Sequence, residues 1–156
     1  MAIVISIFAL LISFSIALIA VQQFLLAKEK FNLDLFNKRY AVFKGVQLFV
    51  FQIVMNLTAK TEDFQKFNLD TETAVFIFDE DIPKFLDQVR SKAHDLKRLK
   101  DMMEMVDQKG EEHHKLFKQK EALQMEFYDM ETSLRPKFAP YLKFSKWKFG
   151  MIWPKH

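Results

Sequence analysis

At 156 residues with a formal net charge of +3, the chain has room for one domain, and its charge is too small to make a nucleic-acid-binding surface unless it is concentrated somewhere. Half of the residues are apolar, and 18 Phe stand against three Gly and four Pro, which disfavours a disordered or turn-rich β chain and points to helices. The absence of cysteine excludes disulfides, zinc-thiolate centres and a thiol nucleophile.

Positions 1–27 contain no charged residue, and the run from Ile3 to Val21 is interrupted only by Ser6, Ser13 and Ser15, whose hydroxyls can bond back to helix carbonyls. Such a run spans roughly 28 Å as a helix, close to the hydrocarbon thickness of a bilayer of about 30 Å. A secretory signal needs a basic leader before the apolar core and a small-x-small cleavage site after it, and neither is found here, so the segment reads as a transmembrane anchor. Lys28, Lys30, Lys38, Arg39 and Lys44 follow it, which by the positive-inside bias puts the N-terminus outside and the remainder in the cytoplasm of a bacterial inner membrane. Ser6, Ala9, Ser13, Ala17 and Ala20 recur three or four apart. That stripe is either a face for close approach of another helix in a homo-oligomer or a lipid-tolerant surface.

No Pro or Gly breaks the chain before Gly45, so the anchor can run on into a long helix over 28–58. Its apolar positions are Phe36, Tyr40, Phe43, Val50, Val54 and Leu57, widened by Val42, Val46, Phe49 and Ile53. The stretch 46–57 is too short to span a membrane and reads as a core helix. A polar connection with room for one helical turn is expected over 61–70, followed by a short buried helix around Ala74-Val75-Phe76-Ile77-Phe78. The cluster Asp79-Glu80-Asp81 before Ile82-Pro83 predicts a carboxylate-capped helix start. The helix 82–108 carries Ile82, Leu86, Val89, Ala93, Leu96, Met103 and Val106 on one stripe, and Lys109-Gly110 supplies its stop. A second helix, 112–134, aligns Leu116, Leu123, Phe127, Met130 and Leu134, and Arg135-Pro136 is expected to end it. The short turn makes the pair an antiparallel hairpin over 82–135.

The tail 136–156 carries lysines without acidic residues, interleaved with Phe138, Tyr141, Phe144, Trp147, Phe149 and Trp153. Core completion, contact with a membrane or another subunit (Lys143, Trp147 and Trp153 being the candidates) and nucleic-acid binding are the three readings open to it. The expected fold is thus all-α: a transmembrane anchor over 1–27 and a cytoplasmic helical bundle over 28–156 that contains the long hairpin.

Four histidines are the best place to look for a site, and the acidic patch Asp79, Glu80 and Asp81 could bind a cation or a basic partner, although capping explains part of it. Arg90 and His94 share a helix face, and such a pair can stabilise phosphate charge and move a proton, as RNA cleavage requires. A solvated helical face explains them as well. His113 and His114 are adjacent and diverge by about 100°, so they cannot chelate a metal from one face. No phosphate loop, dinucleotide fingerprint or serine-nucleophile motif occurs, so neither cofactor nor metal is expected, and the chain reads as a non-enzyme.

The segments Lys38-Arg39-Tyr40-Ala41-Val42-Phe43, Phe76-Ile77-Phe78-Asp79-Glu80-Asp81-Ile82 and Lys137-Phe138-Ala139-Pro140-Tyr141-Leu142 resemble a widespread family of small bacterial proteins with a membrane anchor and a helical domain. In size and layout the chain also looks like the membrane accessory proteins of type VI-B CRISPR systems, which work beside an RNA-guided RNA nuclease. That resemblance implies a ring-shaped homo-oligomer in the lipid bilayer, a pore that depolarises infected cells, and a degenerate HEPN-like motif at Arg90 and His94. The HEPN ribonuclease pattern has a longer gap than the three residues that separate these two. The expected partners are the bilayer, further copies of the chain and an RNA-guided nuclease, without direct binding of nucleic acid. A membrane-tethered adaptor and a membrane-tethered ribonuclease are the alternative functions.

Overall fold

A computed structural model of the chain describes residues 2–107 and 110–143. Among them every regular element is a helix: α1 (Ala2–Asn56), α2 (Thr61–Thr71), α3 (Ala74–Ile77), α4 (Asp81–Met105) and α5 (Glu111–Leu142). The chain divides into two compact units, 1–37 and 38–156.

The first unit is the apolar start of α1. It is the only helix among the described residues long and apolar enough to cross a membrane. Its serines act as expected, since the Ser13 hydroxyl donates to the Ala9 carbonyl at 2.8 Å and the Ser15 hydroxyl to that of Leu11 at 2.9 Å.

In the second unit the core face of α1 is Val42, Phe43, Val46, Phe49, Val50 and Ile53. The positions 42, 46, 49 and 53 repeat at helical spacing and form the centre of the stripe, whereas Tyr40 and Leu57, which the sequence pattern placed on it, lie outside. Leu57 instead takes a left-handed conformation, φ 56°, and donates its N–H to the Ile53 carbonyl at 2.8 Å to end the helix.

The polar connection over 61–70, expected to hold one helical turn, is helical throughout as the 11-residue α2. Asp63 accepts the Lys60 N–H at 2.8 Å, which starts the helix. Phe64, Phe67 and Thr71 then fall on one face and are buried. Phe49 stacks on Phe67 with centroids 4.4 Å apart and meets the edge of Phe64 at 5.5 Å. α2 approaches α1 closely at Gly45, where a Cβ would lie 2.5 Å from Cβ of Asp70.

The short helix α3 is present, but it is not buried throughout. Ala74 and the following Phe78 are inside, whereas Val75 and Phe76 face outward. One turn can cover only one side of itself. The carboxylate cap expected for α4 is also absent. Glu80 occupies the N-cap position without a side-chain bond to the backbone and pairs with Lys84, while Asp79 and Asp81 accept a bond from Tyr141.

Ile82, Phe85, Leu86, Val89, Ala93 and Leu96 of α4 are buried, and Leu116, Phe127, Leu134 and Phe138 are their counterparts on α5. Lys92 pairs with Glu126, and the Lys137 ammonium stands 5.1 Å above the Phe85 ring, so numbering falls along α5 as it rises along α4. The helix does not end at Arg135-Pro136 as expected but continues to Leu142 with Pro136 and Pro140 inside it. Each proline removes one helix hydrogen bond at a position exposed to solvent. The added turns bury Phe138 completely and half-bury Tyr141 and Leu142, which offsets the loss.

Candidate functional site

Two regions of the molecule carry features beyond packing. The first is the apolar helix. Thirteen large apolar side chains between Ile7 and Leu26 are 43–72% exposed, and Ser6, Ser13, Ala17 and Ala20 are exposed with them. At roughly 2 kcal/mol for each side chain left uncovered, this amounts to on the order of 25 kcal/mol. An ordinary domain has a total stability of only about 5–15 kcal/mol. An apolar surface of that size is stable only when lipid or protein covers it.

The second region is a cluster in which residues distant in sequence meet. Arg39, on α1, donates from Nε to the carbonyl of Ile77 at 2.8 Å. Its guanidinium carbon lies 5.7 Å from the centroid of Phe78 and 5.5 Å from that of Tyr141. Phe78 meets Phe138 and Tyr141 edge to face, at 5.4 and 5.1 Å, and Phe43 lies 5.4 Å from Phe138. The Tyr141 hydroxyl donates to Asp81 Oδ1 at 2.6 Å and stands 3.1 Å from Asp79 Oδ2. The bond to Asp81 raises the phenol pKa well above its ordinary value, with burial and then the bond to Asp79 adding to the effect. This arrangement clasps α1, α3, α4 and α5 together. A phenol held protonated beside two carboxylates is a poor acid or base near neutral pH, so the chemistry on view is mechanical. The segments 38–43, 76–82 and 137–142 converge here. The spacing of Arg39, the acidic cluster and Tyr141 gives no hint of it.

Arg90 and His94 lie elsewhere, on the face of α4 that meets α2. Arg90 donates from Nε to Asn68 at 2.9 Å and from Nη1 to Asp87 at 2.6 Å, and its guanidinium carbon is 5.7 Å from the centroid of Phe67. The His94 ring stacks on Phe64 with centroids 4.2 Å apart and planes 15° from parallel. Both side chains therefore carry contacts between α2 and α4. Among the described residues no three or more His, Asp or Glu side chains are grouped as they would be to hold a metal ion. Lys143 is exposed just past the end of α5, while Trp147 and Trp153 lie outside the described residues.

The fold and the bare helix define the class: an all-helical protein with one apolar N-terminal helix fit to cross a membrane. Comparison with protein-family models, with curated proteins and with solved structures gave no match.

Proposed function

We propose that the chain is a single-pass protein of the bacterial inner membrane, with its N-terminus outside and its helical bundle in the cytoplasm. In this reading it is a non-enzymatic homo-oligomer, an antiviral effector or accessory that forms a pore or perturbs the bilayer beside a nucleic-acid-sensing partner. One observation carries the reading: the thirteen large apolar side chains of the first unit, from Ile7 to Leu26, left without protein cover. The lysines and Arg39 that follow the uncharged segment 1–27 support this orientation. The stripe of Ser6, Ser13, Ala17 and Ala20 suits close contact between copies of the helix, as an oligomer requires. The antiviral setting comes from the sequence resemblance to the accessory proteins of type VI-B CRISPR systems.

The test has two parts. Protein purified in mild detergent is expected to run as a defined multimer, and cells expressing it with its genomic neighbours are expected to lose membrane potential on phage challenge. A strictly monomeric protein in cells whose potential is unchanged ends this proposal.

A second reading, a membrane-tethered adaptor, is favoured by the outer face of α5. Phe117, Met125 and Tyr128 are exposed there, and Met102 and Met105 are exposed on α4. Flexible methionines beside aromatic rings suit a docking surface for another protein. A monomer without effect on potential that still co-purifies with one stable partner is the outcome belonging to this reading.

A further inference from the structure

Within the second unit, α1 presents one whole face to solvent. Ala41, Lys44, Leu48, Phe51 and Met55 form an exposed row there, with Leu48 42%, Phe51 47% and Met55 65% exposed. These positions alternate three and four apart, the repeat by which one helix packs along another. They lie opposite the core row of Val42, Val46, Phe49 and Ile53. Along the exposed row is an open hollow of about 500 Å³, bordered by Lys66 and Asp70 of α2 and by Glu131 of α5.

The helices α2 and α5 flank this row on its two sides, and both run against the direction of α1. On one flank Asp70 lies against Gly45, and Phe64 and Phe67 against Phe49. On the other, Tyr141 meets Arg39, Phe138 meets Phe43, and Arg135 borders Lys44 and Gln47. Charge therefore alternates in opposite senses on the two flanks. Asp70 and Arg135 stand at the Lys44 end of the row, and Lys66 and Glu131 follow one helical turn further toward Phe51.

We propose that a second copy of the chain packs on this face, α1 against α1, about a two-fold axis that runs along the helices between them. This rests on the homo-oligomeric reading above and locates a contact within it. Such an axis exchanges the flanks, so α5 of each copy faces α2 of the other. Arg135 then meets Asp70 and Glu131 meets Lys66 across the contact, and each pair occurs twice. An axis set across the helices would instead bring α5 to α5 and α2 to α2, and these pairs would be lost. Lys44, the charged member of the row, has its ammonium on Gln47 at 3.1 Å, on the flank where the second copy brings Asp70. A row this short is less than the roughly 20–30 residues a side of a free-standing complex. Copies anchored in one membrane need less, because confinement raises their effective concentration.

The chain has no cysteine, so a single introduced one reports alone. Full-length Leu48→Cys and Met105→Cys are reconstituted in vesicles, oxidised, and resolved as monomer and disulfide-linked dimer, beside the parent chain sized in mild detergent. Position 48 lies next to the axis, where two cysteines come within bridging reach, so it is expected to link in high yield and position 105 hardly at all. In the Leu48→Cys background, Glu131→Lys alone and Lys66→Glu alone set like charges together, and each is expected to lower the yield several-fold. The two variants mixed are expected to restore it, because each supplies the charge that the other needs. A multimeric parent without a link at position 48 overturns this contact and leaves the homo-oligomer standing. A monomeric parent without the link overturns both. Equal yields at positions 48 and 105 mark random collision, and a link that neither charge change weakens, or that mixing does not restore, marks a different face. Each of these outcomes rejects the proposal.

Discussion

Gly45 shows how one missing side chain sets the distance between two helices. In the middle of α1 a glycine costs about 1 kcal/mol relative to alanine, so helix propensity alone favours its replacement. The neighbour decides otherwise, because a Cβ at position 45 would lie 2.5 Å from the Cβ of Asp70, an atom that cannot swing away. Overpacking of this kind typically costs about 1–3 kcal/mol. Gly45→Ala is therefore expected to lower the thermal midpoint in detergent, followed by helical circular dichroism, with a net loss of about 1 kcal/mol. A raised midpoint would mean that α2 stands further from α1 than the structure has it. The sequence marks Gly45 as the first break in a long helical run, without revealing what approaches it.

The last turns of α5 illustrate the competition at the level of an element. Arg135-Pro136 is a sound stop signal by local rules, yet the helix runs through it because the residues beyond have partners. Phe138 is fully buried and touches Phe43 and Phe78. Phe138→Ala is expected to cost about 3–5 kcal/mol in chemical denaturation of the full chain, the range for removing a buried aromatic ring. A loss below about 1 kcal/mol would detach these turns from the core. Helix α2 is the opposite case. Its eleven residues are mostly polar, and only Phe64, Phe67 and Thr71 face inward, so the apolar signal is thin. The rings of Phe49 and His94 that cover this face are contributed by other helices.

At the scale of the whole folded unit, the clasp of Arg39, Phe78 and Tyr141 joins the start of the bundle to its end. Its pH dependence follows from the raised phenol pKa. The folded chain holds the Tyr141 proton more tightly than the unfolded chain, so this contribution is fully present below the ordinary tyrosine value of about 10 and fades as pH rises above it. Tyr141→Phe removes the bond and is expected to cost about 1 kcal/mol at neutral pH. The gap in thermal midpoint between parent and variant should then narrow above about pH 10, which a melting series across that range would measure. A gap that stays constant with pH would show that the hydroxyl contributes nothing through its proton.

Taken alone, the sequence determined the helical class, the apolar helix at the start and the inward stripes of α4 and α5. These are written in runs and in short-range spacing, and each helix obeys them by itself. It did not determine where α5 stops, that 61–71 is a helix, or that the acidic cluster turns toward Tyr141 rather than capping α4. Those outcomes depend on contacts between residues far apart in the chain, such as Arg39 with Tyr141. Only the packed structure decides them, because a proline's lost bond or an acid's choice of partner is settled by whatever else the fold brings near.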